Sequence, residues 1–216
     1  MLYSKMKSNI ATRVAGRIIP VLAALWLLVS CSQPELPQLA GGTLLPEARP
    51  LTPFTLVDDH NAPFTQDSLR GQWSFAFFGY THCPDVCPNA LGALKRVETL
   101  LEADGVTPLP RVLFVSVDPA RDTPDTLAGY VAYFHPAFVG VTGEDAELKL
   151  LTRQLGILYG RSPDSSNDKD YVVDHSAAII LFNPEGHYQA LFGIPHDPQK
   201  IAADFVAIRD WYEASQ

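Results

Sequence analysis

Two cysteines four residues apart, in Cys83-Pro84-Asp85-Val86-Cys87, follow directly on an aromatic run, Trp73 to Tyr80 (WSFAFFGY), and precede a stretch of helical periodicity. Thiols so placed at a helix entrance lie on one side of the chain and can come within the ~5.5–6 Å Cα separation that a disulfide needs. A helix N-terminus favours the thiolate, so the pair is expected to have depressed pKa values. The thiolate is both the nucleophile and the soft metal ligand. Pro84 and Pro88 remove amide donors that a helix start leaves free in any case. Two buried structural cysteines are the plainer reading, but a proline-punctuated loop makes a poor core element. The chemistry open to the pair is disulfide exchange or metal binding.

Alternating elements must position these residues. Phe54 to Val57 and Ala62 to Thr65, separated by Asp58-Asp59-His60-Asn61, predict an opening hairpin. Trp73 to Tyr80 reads as a central strand covered on both faces. Asn89 to Ala103 carries Leu91, Leu94, Val97, Leu100 and Leu101 at helical spacing. Arg111 to Val117 is a second buried strand ending in Asp118-Pro119, where Asp118 is expected to cap the loop rather than touch a metal. Pro124 to Phe134 is a helix with Asp122 or Thr123 as its cap. Phe138 to Val141 is a short strand, Asp145 to Leu155 a helix, and Ser162 to Asp170 an exposed polar loop. Tyr171 to Ser176, Ala178 to Phe182 and Tyr188 to Phe192 predict strands, and Pro198 to Ala214 a closing helix. The order suits an α/β thioredoxin-like sandwich with an N-terminal β-hairpin, and other small α/β folds as well.

Composition narrows the classes. The 216 residues carry a net charge of −8, and four basic residues but no acidic ones fall in the first thirty; the rest of the chain has 12 basic and 24 acidic residues, a net −12. An acidic body without a basic cluster excludes nucleic acid as a partner. Three cysteines are too few for a disulfide-stapled scaffold. The third, Cys31, ends a basic flank and a twelve-residue apolar stretch, Ile18 to Val29. As a helix that stretch spans roughly 18 Å, short of the ~30 Å hydrocarbon core. It reads as a secretory signal over residues 1–30, with a short uncleaved anchor as the alternative. Residues 31–50, rich in Pro, Gly and polar side chains, read as a flexible tether, and residues 51–216 as the folded domain. Beyond a secretory signal lies an oxidising compartment, where a thiol pair tends toward a disulfide.

Four segments resemble known signatures. Leu28-Val29-Ser30-Cys31 resembles the bacterial lipobox, which implies an acylated Cys31 as the mature N-terminus; otherwise Cys31 merely lies in a signal helix. A lipid anchor tethers the domain to a membrane of the bacterial cell envelope, facing the periplasm or the outside of the cytoplasmic membrane. Phe78 to Pro88 (FGYTHCPDVCP), Ser116 to Pro124 (SVDPARDTP) and Tyr171 to Ser176 (YVVDHS) resemble, in order, the three motifs of the Sco/SenC family of copper chaperones for cytochrome c oxidase. The similarity runs from about Leu51 to Trp211. It implies a thioredoxin-like fold, copper bound by Cys83, Cys87 and His175, and delivery to the CuA site of oxidase subunit II. The plainer reading of His175 is a polar group at a strand end satisfied by Asp174, which itself is either an orienting carboxylate or a surface one. Other copper chaperones or thiol reductants are then further partners. The chemistry agrees: two thiolates suit Cu(I), and an added imidazole suits Cu(II) with a fourth ligand. Structural zinc would want four protein ligands. His82 is left outside the ligand set, and His60, His135, His187 and His196 are expected to be solvated.

Two other functions compete. The same thiols, as a redox-active pair closing to a Cys83–Cys87 disulfide, suit a thiol–disulfide reductase. The pair, however, has three intervening residues where thioredoxins have two, and Tyr171 to Asn183 holds no proline to face it. A peroxiredoxin-type peroxidase lacks its Thr-x-x-Cys pattern here. The chain is read primarily as a metallochaperone whose thiols also suit reduction of the target's cysteines before loading.

Overall fold

The computed structural model describes residues 34–162 and 171–216. Residues Leu36–Glu213 form one compact unit. The signal segment, Cys31 and most of the polar loop after Ser162 lie outside the described residues. Among those described, no helix is long and apolar enough to cross a membrane.

Ten strands and four α-helices follow one another in the described chain. The strands are β1 (Gly42–Arg49), β2 (Thr55–Asp58), β3 (Pro63–Thr65), β4 (Ser74–Gly79), β5 (Arg111–Ser116), β6 (Val139–Thr142), β7 (Tyr159–Arg161), β8 (Val173–His175), β9 (Ile179–Phe182) and β10 (Tyr188–Phe192). The helices are α1 (Val86–Ala103), α2 (Pro124–Phe134), α3 (Asp145–Leu155) and α4 (Pro198–Ala214). Eight strands form one sheet in the order β1-β10-β9-β4-β5-β6-β2-β3. The centre β4-β5-β6 is parallel, joined through α1 and α2, while β9 pairs antiparallel with β4, β10 with β9 and β1 with β10.

Every residue of β4 is buried, because helices cover both faces of the sheet. Its alternating side chains serve two cores. Phe75 and Phe77 meet Leu91 and Leu94 of α1 and Phe205 and Ile208 of α4. Ala76, Phe78 and Tyr80 meet Leu148, Leu151 and Leu155 of α3. That explains a continuous apolar run where a strand with one wet face would alternate. At α2, the Thr123 side chain accepts the Thr126 N–H, and Pro124 supplies a preset first turn. Gly156, at φ 71°, closes α3 in the left-handed conformation that favours glycine.

Three expectations are corrected. Residues 42–49 are not tether: they form β1, the sheet's edge strand, paired antiparallel with β10. The Pro- and Gly-rich sequence hid it, since Pro46 and Glu47 fall where the register shifts between Leu44 and Arg49 and edge positions tolerate proline. Helix α1 begins at Val86, not Asn89, which brings Cys87 and Pro88 inside its first turn. Proline is tolerated there because the first N–H groups have no intrahelical partner. Finally, His175 does not end a strand of the main sheet. It closes β8, which pairs with β7, a strand without sequence signal, in a separate two-stranded ribbon.

Candidate metal centre

The centre is built where β4 ends and α1 begins. The chain turns after Gly79, the Cys83 N–H donating to the Tyr80 carbonyl at 3.2 Å, and enters α1 with Asp85 as its N-cap. Cys83 stands half-buried before the helix and Cys87 is wholly buried in the first turn. The Cys87 backbone N–H, one of the donors a helix start leaves free, donates to Cys83 Sγ at 3.4 Å. Gly79 makes room for the second sulfur, since a Cβ there would stand 2.4 Å from Cys87 Sγ.

The ribbon brings His175 in from across the fold. Its Nε2 lies 3.5 Å from Cys87 Sγ, and its Nδ1 lies 3.2 Å from the Ser176 carbonyl oxygen. A carbonyl only accepts, so Nδ1 carries the proton and Nε2 presents its lone pair toward the sulfurs. Phe77 and Tyr80 hold the ring edge-on, each at 5.9 Å between centroids. Burial pushes the imidazole below its ordinary pKa of 6.5, partly offset by the Ser176 carbonyl and Asp174, and so keeps it neutral at pH 7.

Cys83 Sγ, Cys87 Sγ and the His175 ring nitrogen all lie within 4.8 Å of one another. Donors about 2.0–2.3 Å from a shared ion stand roughly 3.3–4 Å apart, so the set fits one ion with little movement. Both cysteines are free thiols, so the expected Cys83–Cys87 disulfide is not formed in the structure. The expected depression of the thiol pKa also fails for Cys87. Burial pushes this thiol up, outweighing a hydrogen bond from the Tyr80 backbone. A bound cation reverses that balance by coordinating the thiolate directly.

The second motif braces the centre without entering it. Asp122, fully buried at the start of α2, accepts the Thr81 N–H at 2.9 Å, the Thr81 hydroxyl at 2.6 Å and the Ser116 hydroxyl at 2.6 Å. It thereby ties the cysteine loop to β5. Asp118 accepts from Arg121 Nε and from the Tyr171 hydroxyl. The Arg121 guanidinium lies 3.7 Å from the centre of the Tyr171 ring and 5.4 Å from that of Tyr80, and donates to the Tyr171 carbonyl at 3.0 Å. Asp118 therefore holds the approach to β8 and does more than cap a loop.

The other candidates lie apart. Asp174 is exposed, and the Ser176 carbonyl takes the orienting contact in its place. His82 turns to the Thr81 hydroxyl and toward Asp122. His60, His135 and His187 pair with Asp59, Glu98 and Glu185. His196 is not simply solvated. It is half-buried, edge-on to Phe77, with Nε2 2.7 Å from the Ala177 carbonyl. Asp58, Asp59 and His60 also cluster, but their carboxylates are taken up by the turn and by the Gly140 N–H.

A thioredoxin-like domain with two thiols and an imidazole converging at the mouth of its first helix defines a class of soft-metal-binding proteins. The chain belongs to the SCO1/SenC family, whose description matches residues 44–209. An SCO2-like protein of Rickettsia prowazekii (strain Madrid E) is 35% identical over 200 residues, 91% of this chain and 96% of that protein. The mitochondrial SCO2 homolog of Mus musculus is 39% identical over 148 residues, 68% of this chain and 58% of that longer protein. Among solved structures, Arabidopsis thaliana ScoI with copper bound superposes with TM-score 0.68 at 36% identity, covering 74% of this chain and 99% of that one. Yeast Sco1 with copper bound gives 0.67 at 33% identity, covering 73% and 87%.

Proposed function

We propose that this chain is a membrane-tethered copper chaperone that holds copper between Cys83, Cys87 and His175 and delivers it to the CuA site of cytochrome c oxidase subunit II. The observation that carries the reading is the convergence of the three donor atoms within 4.8 Å, with the imidazole's free nitrogen turned toward the sulfurs. Two relatives of the same fold, at 36% and 33% identity, were solved with copper bound. Two thiolates and an imidazole can hold Cu(I), and Cu(II) when a further ligand joins. The anchor, at an acylated Cys31, keeps the domain on a membrane of the bacterial envelope outside the cytoplasm.

The test is His175→Ala in the reduced protein. Two thiolates still satisfy Cu(I) in near-linear coordination, so its affinity falls modestly, while the coloured Cu(II)–thiolate species is largely lost. In cells the oxidase should lack copper at unchanged chaperone level. Normal oxidase copper in that strain would overturn the reading.

A second reading has one observation in its favour: Cys83 is a free thiol within reach of solvent, beside Cys87. As a thiol–disulfide reductase the pair would close to a disulfide while a target disulfide opens to two thiols, two protons and two electrons passing to the target. His175→Ala leaves that exchange intact, so the same variant separates the two functions.

A further inference from the structure

Asp204 of α4 is buried, at 2% exposure, yet its hydrogen bonds among the described residues involve no lysine or arginine. Its carboxylate instead accepts three successive backbone N–H groups, from Ala40 at 2.6 Å, Gly41 at 2.9 Å and Gly42 at 2.7 Å. Successive amides aimed at one anion form a nest that offsets the cost of burying the charge. Glycine is required at the last position, because a Cβ on Gly42 would stand 2.7 Å from the Phe192 ring and 3.3 Å from the carboxylate. Just upstream, Leu39 packs on the core of the same face. The chain is thus clasped to the domain from Leu39 onward, and the compact unit itself begins at Leu36.

The clasp has a definite place in the sheet. Gly42 pairs with Phe192, Phe192 with Ile179, and Ile179 with Phe77, so the four form one row across β1, β10, β9 and β4. Beyond Phe77 the strand β4 runs into Gly79 and the cysteine loop. Because β1 is antiparallel to β4, its first residue lies at the end of the sheet where β4 finishes. The chain therefore enters the domain at the metal-centre end, three strand spacings or roughly 14 Å to the side.

From these placements we infer that the Asp204 clasp makes the metal-centre end of the domain the end that faces the anchoring membrane. The inference rests on the anchored reading above and holds for either form of anchor, an acylated Cys31 or an uncleaved Ile18–Val29 segment. Residues 31–35 reach at most about 17 Å when fully extended. With the lateral offset, the centre stands within roughly 30–40 Å of the membrane surface. The opposite end, marked by the Asn183–His187 turn, is free to point away. A second observation agrees. Val86 beside Cys87, Leu158 bonded to Ser176, and Ile194 between Phe192 and His196 are exposed apolar side chains, and all three crown the centre's end. The recipient that fits is a membrane-embedded protein whose accepting ligands stand a few nanometres above the same bilayer, not a freely diffusing one.

The experiment places the full chain, expressed with its own N-terminus, in vesicles of phosphatidylethanolamine and phosphatidylglycerol carrying a headgroup quencher. A fluorescent amino acid replaces either Ile194 at the centre's end or Glu185 at the far end. Quenching should be severalfold stronger at 194. Inserting twenty Gly/Ser residues between Glu35 and Leu36, which leaves the fold untouched, should bring the two positions toward equality, and Asp204→Ala should do the same if that variant folds. Equal or reversed quenching in the unmodified chain overturns the inference while leaving the anchor standing. Failure to associate with vesicles at all overturns the anchored reading and the inference together.

Discussion

Replacing Gly79 with alanine tests the packing on which the centre depends. The new Cβ would stand 2.4 Å from Cys87 Sγ, 3.1 Å from Phe114 Cε2 and 3.3 Å from Phe77 Cε1. Non-bonded heavy atoms settle at about 3.5–4 Å, so the sulfur must retreat by about an ångström or more. It has little room to do so, because Cys87, Phe77 and Phe114 are all fully buried. Overpacking of this kind costs about 1–3 kcal/mol. For a domain of this size each kcal/mol lowers Tm by about 2–4 °C, so the reduced, metal-free protein should melt roughly 2–12 °C lower. The sulfur would also leave the position that puts it 3.5 Å from His175 Nε2. Copper(I) affinity, read by competition with a chelator of known strength, should fall about tenfold or more, equivalent to some 1.4 kcal/mol. Gly92→Ala is the control. It lies inside α1 with nothing within 4 Å of its built Cβ, and should stabilise by about 0.5–1 kcal/mol without touching copper. Wild-type Tm and affinity in Gly79→Ala would refute the claim that Cys87 is seated against the end of β4.

Asp122→Ala strands three buried or half-buried donors and should cost about 2–4 kcal/mol in urea unfolding; a loss under about 1 kcal/mol would count against Asp122 as the brace of the cysteine loop. Burial holds His196 below its ordinary pKa of 6.5, so the unfolded chain takes up that proton first as pH falls. Its contribution to stability is therefore whole above about pH 6.5 and lost below it, and the urea midpoint should drop less between pH 7.5 and 5.5 in His196→Gln than in the parent. An identical drop in both proteins would show that His196 is not the group responsible. Intact mass of the detergent-extracted protein should show residues 1–30 removed and acyl mass added, and Cys31→Ser should release the domain into the soluble fraction; an unmodified, water-soluble product would sink the lipid anchor.

What could be read from the sequence was governed by how local the cause is. Pro124–Phe134, Asp145–Leu155 and Pro198–Ala214 have the bounds their apolar spacing and caps indicate, because each determinant lies within a turn or two of the boundary. The strand β7 could not be seen, since Tyr159-Gly160-Arg161 owes its pairing to β8 and not to its own composition. The same holds for β1, whose pairing with β10 is secured by a carboxylate some 160 residues away at Asp204. At the centre, the residue types and spacing picked out Cys83 and Cys87, and the resemblance of Tyr171–Ser176 picked out His175. The orienting group escaped because it is the backbone carbonyl of Ser176, which carries no side-chain signature. Asp122 reads in the sequence as a possible cap of Pro124–Phe134, a place Thr123 takes, and its work as a brace is visible only once Thr81 and Ser116 are seen to converge on it. The thiol pKa was misjudged for Cys87 because helix position was weighed without burial, and burial dominates there.

The separate ribbon has a consequence for how such a domain can change over generations. His175 rides on β8, which is bonded to β7 and not into the eight-stranded ladder, while both sulfurs sit where that ladder meets α1. A slip or insertion in the main sheet would turn every side chain of a strand to the wrong face. Residues gained or lost between Arg161 and Val173 leave the register of that ladder intact, although Tyr171 there is held by Asp118 and Arg121. The domain thus behaves as a fixed jaw and an adjustable one: the sulfur pair is set by the core, while the third donor is carried by a ribbon whose pairing is independent of the main sheet's register.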